Sequence, residues 1–232
     1  MTAPLRELVP DQVWLKEFPV RIAGGCLLTR MTVLRSDDGG VFLHSPVVMD
    51  DATRVAIARL GPIRAIIAPS NCHHLFVGQA QQAFPSAPTY GVEGIEAKRS
   101  DLYFDALIGN EPPALWAGQM DQVVIGNRIM REVDFLHRSS RTLVVTDLIE
   151  NFRDETPGTN RMLRGMIKLL GMWGSPNSAP ELRWFTVHRK AAREALEKIL
   201  SWDFDRIVLA HGELILREPK TAIRKACRWV LG

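Results

Sequence analysis

The sequence lacks long apolar runs, internal repeats, low-complexity tracts and any marked surplus of one charge. No stretch approaches the apolar length that spans a bilayer, and residues 1–15 carry Arg6, Glu7 and Asp11 where a secretory segment would be apolar. These absences predict no membrane partner and a cytoplasmic protein. Cysteine is scarce: Cys26, Cys72 and Cys227 are odd in number, far apart and in no C-x-x-C pair. That excludes a disulfide framework and a cysteine-rich zinc site, and it fits a reducing compartment. With 29 Lys and Arg against 26 Asp and Glu, the net charge is only +3, which is no nucleic-acid signature. The one local concentration of charge is Arg128, Arg131, Arg138 and Arg141. It reads either as a solvated basic face or as a feature attractive to an anionic small-molecule substrate.

What remains is an ordinary globular composition, 46% hydrophobic and 24% charged over 232 residues. A chain this long buries a sizeable core unaided, so a bound metal would serve function and not folding. The pattern predicts one α/β domain over residues 1–232. Residues 32–35 and 41–44 flank Ser36-Asp37-Asp38-Gly39-Gly40 and predict a hairpin. A short helix follows, capped by Asp50 or Asp51, with Val55 and Ala58 inward and Gly61-Pro62 as its stop. Residues 63–68 form a continuous apolar run, as in a strand covered on both faces. Further elements are a helix at 77–84, a strand at 89–92, a helix at 93–99 and strands at 122–125, 132–136 and 142–146. Near the end, a helix at 190–200 leads to a strand at 206–210, and Pro219 opens a terminal helix with Cys227 facing inward.

Segment 150–180 is long for a connection. Its stretch 161–173 puts Met162, Leu163, Met166, Ile167, Leu170 and Trp173 on one broad face. It reads as a lid over a site or as the interface of a homodimer.

Candidate site residues share one placement, the ends of strands, where layered α/β folds bind ligands. His44 ends one strand; Asn71, His73 and His74 follow another; Asp147 and His211 each end a third and a fourth. Imidazole and carboxylate are the donors a divalent transition metal needs. Singly, each has a plain alternative as a cap, a turn former or a loop residue.

This pattern resembles the metallo-β-lactamase superfamily. Residues 142–147 (Thr-Leu-Val-Val-Thr-Asp) resemble the strand that delivers a bridging Asp, and residues 205–212 (Asp-Arg-Ile-Val-Leu-Ala-His-Gly) resemble the segment of the last His. The family's H-x-H-x-D-H motif appears here as Pro69-Ser70-Asn71-Cys72-His73-His74, so only His74 matches outright. More narrowly, Met31-Thr32-Val33, His44-Ser45-Pro46, the Pro69-to-Phe76 run and Arg141-to-Asp147 resemble an uncharacterised branch recorded as a domain of unknown function. The resemblance implies an αββα sandwich, with two mixed sheets flanked by helices. It implies a metal-dependent hydrolase holding one or two ions, zinc or iron, on His74, Asp147 and His211, with His137 as a further ligand. His73 and Asp147 would act in catalysis, Asn71 would orient substrate or polarise a carbonyl, and His44 would support the ligands from behind. The missing ligand positions leave open a non-catalytic binding or regulatory protein on the same scaffold. A thiol hydrolase using Cys72 with His73 as base is a third reading.

Overall fold

The computed structural model describes residues 5–22, 25–127 and 129–232. Arg128, one of the four clustered arginines, lies outside them.

Two sheets share a core. The first runs in the order β1 (Arg6–Val9), β2 (Val13–Ile22), β3 (Gly25–Arg35), β4 (Val41–His44), β5 (Ile63–Ala68), β6 (Thr89–Val92) and β7 (Ala106–Ile108). It is antiparallel as far as β4 and parallel from β4 to β7. Parallel neighbours need crossovers, and these contain the helices α1 (Asp51–Ala58), α2 (Val77–Ala83) and α3 (Ile95–Lys98). The second sheet is built from β8 (Met120–Gly126), β9 (Arg131–His137), β10 (Thr142–Val144) and β11 (Arg206–Val208), in the order β11-β10-β9-β8. Its β10–β11 pair is parallel and the rest antiparallel. Five helices complete the chain: α4 (Arg161–Leu169), α5 (Pro180–Phe185), α6 (Arg189–Ser201), α7 (Pro219–Ala226) and α8 (Arg228–Leu231).

Side-chain alternation along the strands makes the layers. Val133 and Phe135 of β9, Val144 and Val208 turn toward the first sheet and join Phe42, Ile66 and Trp116 in the central core. Leu143 and Ile207 turn the other way, under Leu196 and Ile199 of α6 and Ile223 of α7. A smaller apolar group joins Val20 and Leu27, at the tip of the β2–β3 hairpin, to Leu163 and Ile167 of α4. This is the expected αββα sandwich.

Several expectations need correction. In α1 the buried residues are Thr53 and Ile57, while Val55 and Ala58 face solvent. Asp50 is the cap, accepting from the Thr53 backbone N–H at 2.8 Å. Strand β2 was not expected, because charged Lys16 and Glu17 and then Pro19 interrupt its pattern. Strands β10 and β11 stop earlier than the apolar runs suggest, since residues 146–148 turn away to bond Glu132. The terminal helix breaks at Cys227 into α7 and α8, with Cys227 buried.

Two acids on β9, Glu132 and Asp134, are fully buried on its helix-facing side. Neither oxygen of Asp134 meets a hydrogen-bond donor among the described residues. Burial and the adjacent Glu132 charge push its carboxyl well above the ordinary range, so it carries a proton that it can donate to Glu132. A group whose folded pKa is raised stabilises the fold below its unfolded pKa of about 4, and that stability drains away as pH rises toward the folded value. Asp134→Asn keeps an N–H donor but cannot ionise. Its stability should match the parent near pH 4 and exceed it increasingly above, by up to about 1.4 kcal/mol per pH unit. Urea unfolding at pH 4, 6 and 8 checks this; parallel stability profiles would refute it.

Candidate metal centre

Three side chains converge where the two sheets meet. His73 follows β5, Asp147 follows β10 and His211 follows β11. One donor atom from each lies within 4.8 Å of the others. His73 Nε2 is 3.3 Å and His211 Nε2 is 3.7 Å from the same Asp147 oxygen, Oδ1. The two imidazole rings are 5.1 Å apart and tilted by 45°.

The rings are aimed by their other nitrogens. His211 Nδ1 donates to the Leu28 carbonyl of β3 at 2.9 Å, and His73 Nδ1 bonds Ser45 Oγ at 2.9 Å. Both Nε2 atoms are thereby turned toward Asp147. An outer partner on the second nitrogen is the usual arrangement of metal-ligating histidines. Ser45 holds its position with φ of 54°, in the left-handed region, while its backbone N–H bonds the Ile67 carbonyl at 3.0 Å.

The supporting loops are fastened with equal care. Glu132 accepts from Thr146 N (3.3 Å), Thr146 Oγ1 (2.7 Å), Asp147 N (2.8 Å) and Leu148 N (3.0 Å). The neighbouring stretch of β9 binds the His73 loop, through Val133 N to Pro69 O (2.8 Å) and Asn71 N to Arg131 O (3.1 Å). Buried Arg30 on β3 pairs with Glu17 and donates to the carbonyls of Leu209 and Gly212, bracketing His211. Gly212 has φ of 86°, and a Cβ there would sit 2.3 Å from the Asn151 carbonyl oxygen, so no other residue fits the turn.

Charge follows geometry. Burial alone would lower His73, but Asp147's charge and hydrogen bond outweigh it and hold the imidazole above its ordinary range. Burial raises Asp147, and the His73 charge more than reverses this. Burial and the His73 charge push His211 down to about 4, so it is neutral near pH 7. Without an ion, the proton rests on His73.

The other expected residues are placed elsewhere. His74 is not one of the three. It lies half-buried against Arg99, whose guanidinium is 3.3 Å from its Nδ1, and burial and that charge lower its pKa. Adjacent residues on a tight loop point apart, so the position that matched the motif in sequence gives way to its neighbour. His137 is at the far end of β9, opposite the first residue of β10, with Nδ1 on Ser140 Oγ (2.7 Å) and Nε2 on Arg35 O (2.8 Å). Both its nitrogens are spent on structure. Asn71 is absent from the cavity wall: its amide donates to Ile129 O (3.1 Å) and its oxygen accepts from Arg131 N (3.2 Å), which ties the loop to β9. His44 is buried edge-on to Phe135, and among the described residues neither ring nitrogen has a hydrogen-bond partner. Burial and the His73 charge push it down to about 3. The support expected of His44 comes from its neighbour Ser45, which lies in the same His44-Ser45-Pro46 stretch but was given no role from the sequence.

Cys72 lines the same cavity, but burial and the Asp147 charge push its thiol up to about 11, the reverse of an activated nucleophile. The arginines do not converge on the site: Arg131 pairs with Glu93, Arg138 with Asp121, and Arg141 with Asp203 and Asp205.

A cavity of about 310 Å³ opens from the three residues. Segment 150–180 supplies much of its wall, including Phe152, Leu163, Met166, Ile167, Leu170 and Met172. Met162 does not line it and is 56% exposed. Two acids that the sequence reading did not single out, Glu150 and Glu181, also face the cavity. Among the described residues no helix is long and apolar enough to cross a membrane.

The model of a family described as Domain of unknown function (DUF4336) matches residues 10–168. The chain belongs to that family. The match takes in His73 and Asp147 but ends before His211. Solved structures show the fold. A metallo-β-lactamase from Pontibacter korlensis is 12% identical, with 98% of each chain covered and a TM-score of 0.65. The metallo-β-lactamase FIM-1 from Pseudomonas aeruginosa in its mono-zinc form is 12% identical, with 98% of this chain and 96% of that one covered and a TM-score of 0.62. A metallo-β-lactamase from Erythrobacter litoralis is 12% identical, with 97% and 95% covered and a TM-score of 0.66. No curated protein matches the sequence. The fold of this DUF4336 chain is therefore that of the metallo-β-lactamases.

If Glu132 is the peg for the Asp147 loop, Glu132→Ala should cost about 3–5 kcal/mol, the range for removing one partner from a buried charged network. Denaturant unfolding measures it, and a loss under about 1 kcal/mol would show that the loop is held by something else.

Proposed function

We propose that the chain is a metal-dependent hydrolase of a small-molecule substrate, with one divalent ion held by His73 Nε2, Asp147 and His211 Nε2. The observation that carries this reading is the pair of Nδ1 bonds, to Ser45 and to Leu28 O, that turn both Nε2 atoms onto one carboxylate oxygen. Three protein donors leave a coordination position open, which separates catalytic from structural sites. Two imidazoles and one carboxylate suit zinc and ferrous iron alike. Such an ion, when bound, polarises a carbonyl and acidifies water toward neutral pH.

The chain's own residues supply the rest. The Leu28 carbonyl fixes the tautomer of His211, and Ser45 fixes the ring orientation of His73. Glu132 sets the Asp147 carboxylate in place before anything binds, so little ordering remains to be done. The apolar wall from α4 to Met172 acts as a lid, excluding bulk water and strengthening every charge interaction beneath it.

The reading is tested by titrating chelator-treated protein with zinc. We expect about one ion per chain, lost in Asp147→Ala and His211→Ala and retained in His74→Ala and His137→Ala. Binding must displace the His73 proton, whereas His211 is neutral above about pH 5. Affinity should therefore rise with pH, and calorimetry in buffers of different ionisation enthalpy should find about one proton released on binding at pH 6. A His74→Ala protein that no longer binds, or a His211→Ala protein that binds as before, would refute the assignment.

A further inference from the structure

The cavity beneath α4 has a composition that narrows what can enter it. Its floor is the group of three, and its walls are apolar: Val20 and Leu27 from the β2–β3 hairpin on one side, Leu163, Met166 and Ile167 from α4 on another, with the rings of Phe76 and Phe152. Among the described residues no lysine or arginine lines it. Arg164 and Lys168 of α4 lie over the Trp173 ring. The other acidic groups facing the space besides the three are the carboxyls of Glu150 and Glu181. Glu150 is held at the wall by its backbone, which exchanges hydrogen bonds with Asn177 at 2.8 and 2.9 Å. No donor among the described residues reaches its side chain. Burial first, and then Asp147 and Glu181, push its pKa well above the ordinary carboxyl range. An anion entering this space would meet carboxyls on its wall and, among the described residues, no lysine or arginine; the His73 imidazole is already engaged by Asp147.

We infer that the site takes an uncharged acyl compound, a carboxylic ester or thioester, whose aliphatic chain lies along α4 and whose acyl carbon sits at the three residues. The position of the acyl carbon rests on the hydrolase reading above; the choice of an uncharged aliphatic ligand does not. In the reaction, a water oxygen bonds to the acyl carbon, the bond to the alcohol oxygen or thiol sulfur breaks, and the leaving group takes up a proton. The acid product then gives its proton to solvent and becomes an anion.

The inference is tested on the full-length chain after chelator treatment, so that no ion contributes to binding. The probes are 1-butanol, 1-octanol and octanoate, compared by ligand-observed NMR at pH 8. We expect affinity to rise about fourfold per methylene along the alcohols, and octanol to bind at least tenfold more tightly than octanoate. Glu150→Gln with Glu181→Gln should narrow the gap between octanol and octanoate, and Met166→Ser should weaken octanol several-fold. Equal binding of butanol and octanol, or octanoate binding as well as octanol, would overturn the inference. So would Met166→Ser leaving octanol unchanged while turning a dimer into a monomer, because α4 would then cover a second copy. Hydrolysis of p-nitrophenyl acetate and octanoate by zinc-loaded protein is measured separately. Selective octanol binding with neither ester cleaved would support the ligand class and count against the hydrolase.

Discussion

Glu132 accepts four hydrogen bonds from residues 146–148, and it does so where no water can compete. A buried carboxylate is costly unless its lone pairs are filled. Here the filling groups are the backbone and side chain of the loop that carries Asp147, so the cost of the charge becomes the rigidity of the site. The residues flanking Glu132 on β9 bond the Pro69–Asn71 backbone, which carries His73. One strand end therefore sets the relative position of two of the three donors. The third, His211, is fixed from the other sheet by Arg30 and the Leu28 carbonyl. The site exists only where the two sheets are in register, which is why its residues come from three distant parts of the chain.

Charge is arranged so that each titratable group has a defined state. His73 keeps a proton beside Asp147, His211 is neutral, and Asp134 stays protonated behind Glu132. Farther out, Glu150 and Glu181 face the cavity, and among the described residues no lysine or arginine lines it.

Much of this was legible in the sequence, and the failures have physical causes. The hairpin at β3–β4, strands β5 and β6 and helix α6 follow from turn chemistry and apolar periodicity, which are local signals. Asp147 and His211 stood out because strand ends gather ligands. The choice of His74 over His73 went wrong because motif alignment fixes which residues share a loop, not which way each side chain turns. His137 misled because β9 runs antiparallel to β10, which carries the end of β9 away from Asp147. Ser45, Leu28, Arg30 and Glu132 could not be singled out, since their work is done across sheets and depends on a register that no short stretch encodes. Glu150 was invisible for another reason. Its meaning lies in the absence of a partner, and an absence is seen only once the neighbours are placed.

The most direct test of the account is X-ray absorption at the metal edge of protein loaded with one equivalent of zinc, on the parent chain and on His73→Ala and His74→Ala. The account predicts imidazole and carboxylate ligands at about 2.0–2.2 Å, with one imidazole lost in His73→Ala and none in His74→Ala. A spectrum that loses its imidazole in His74→Ala and keeps it in His73→Ala would contradict the account at its centre.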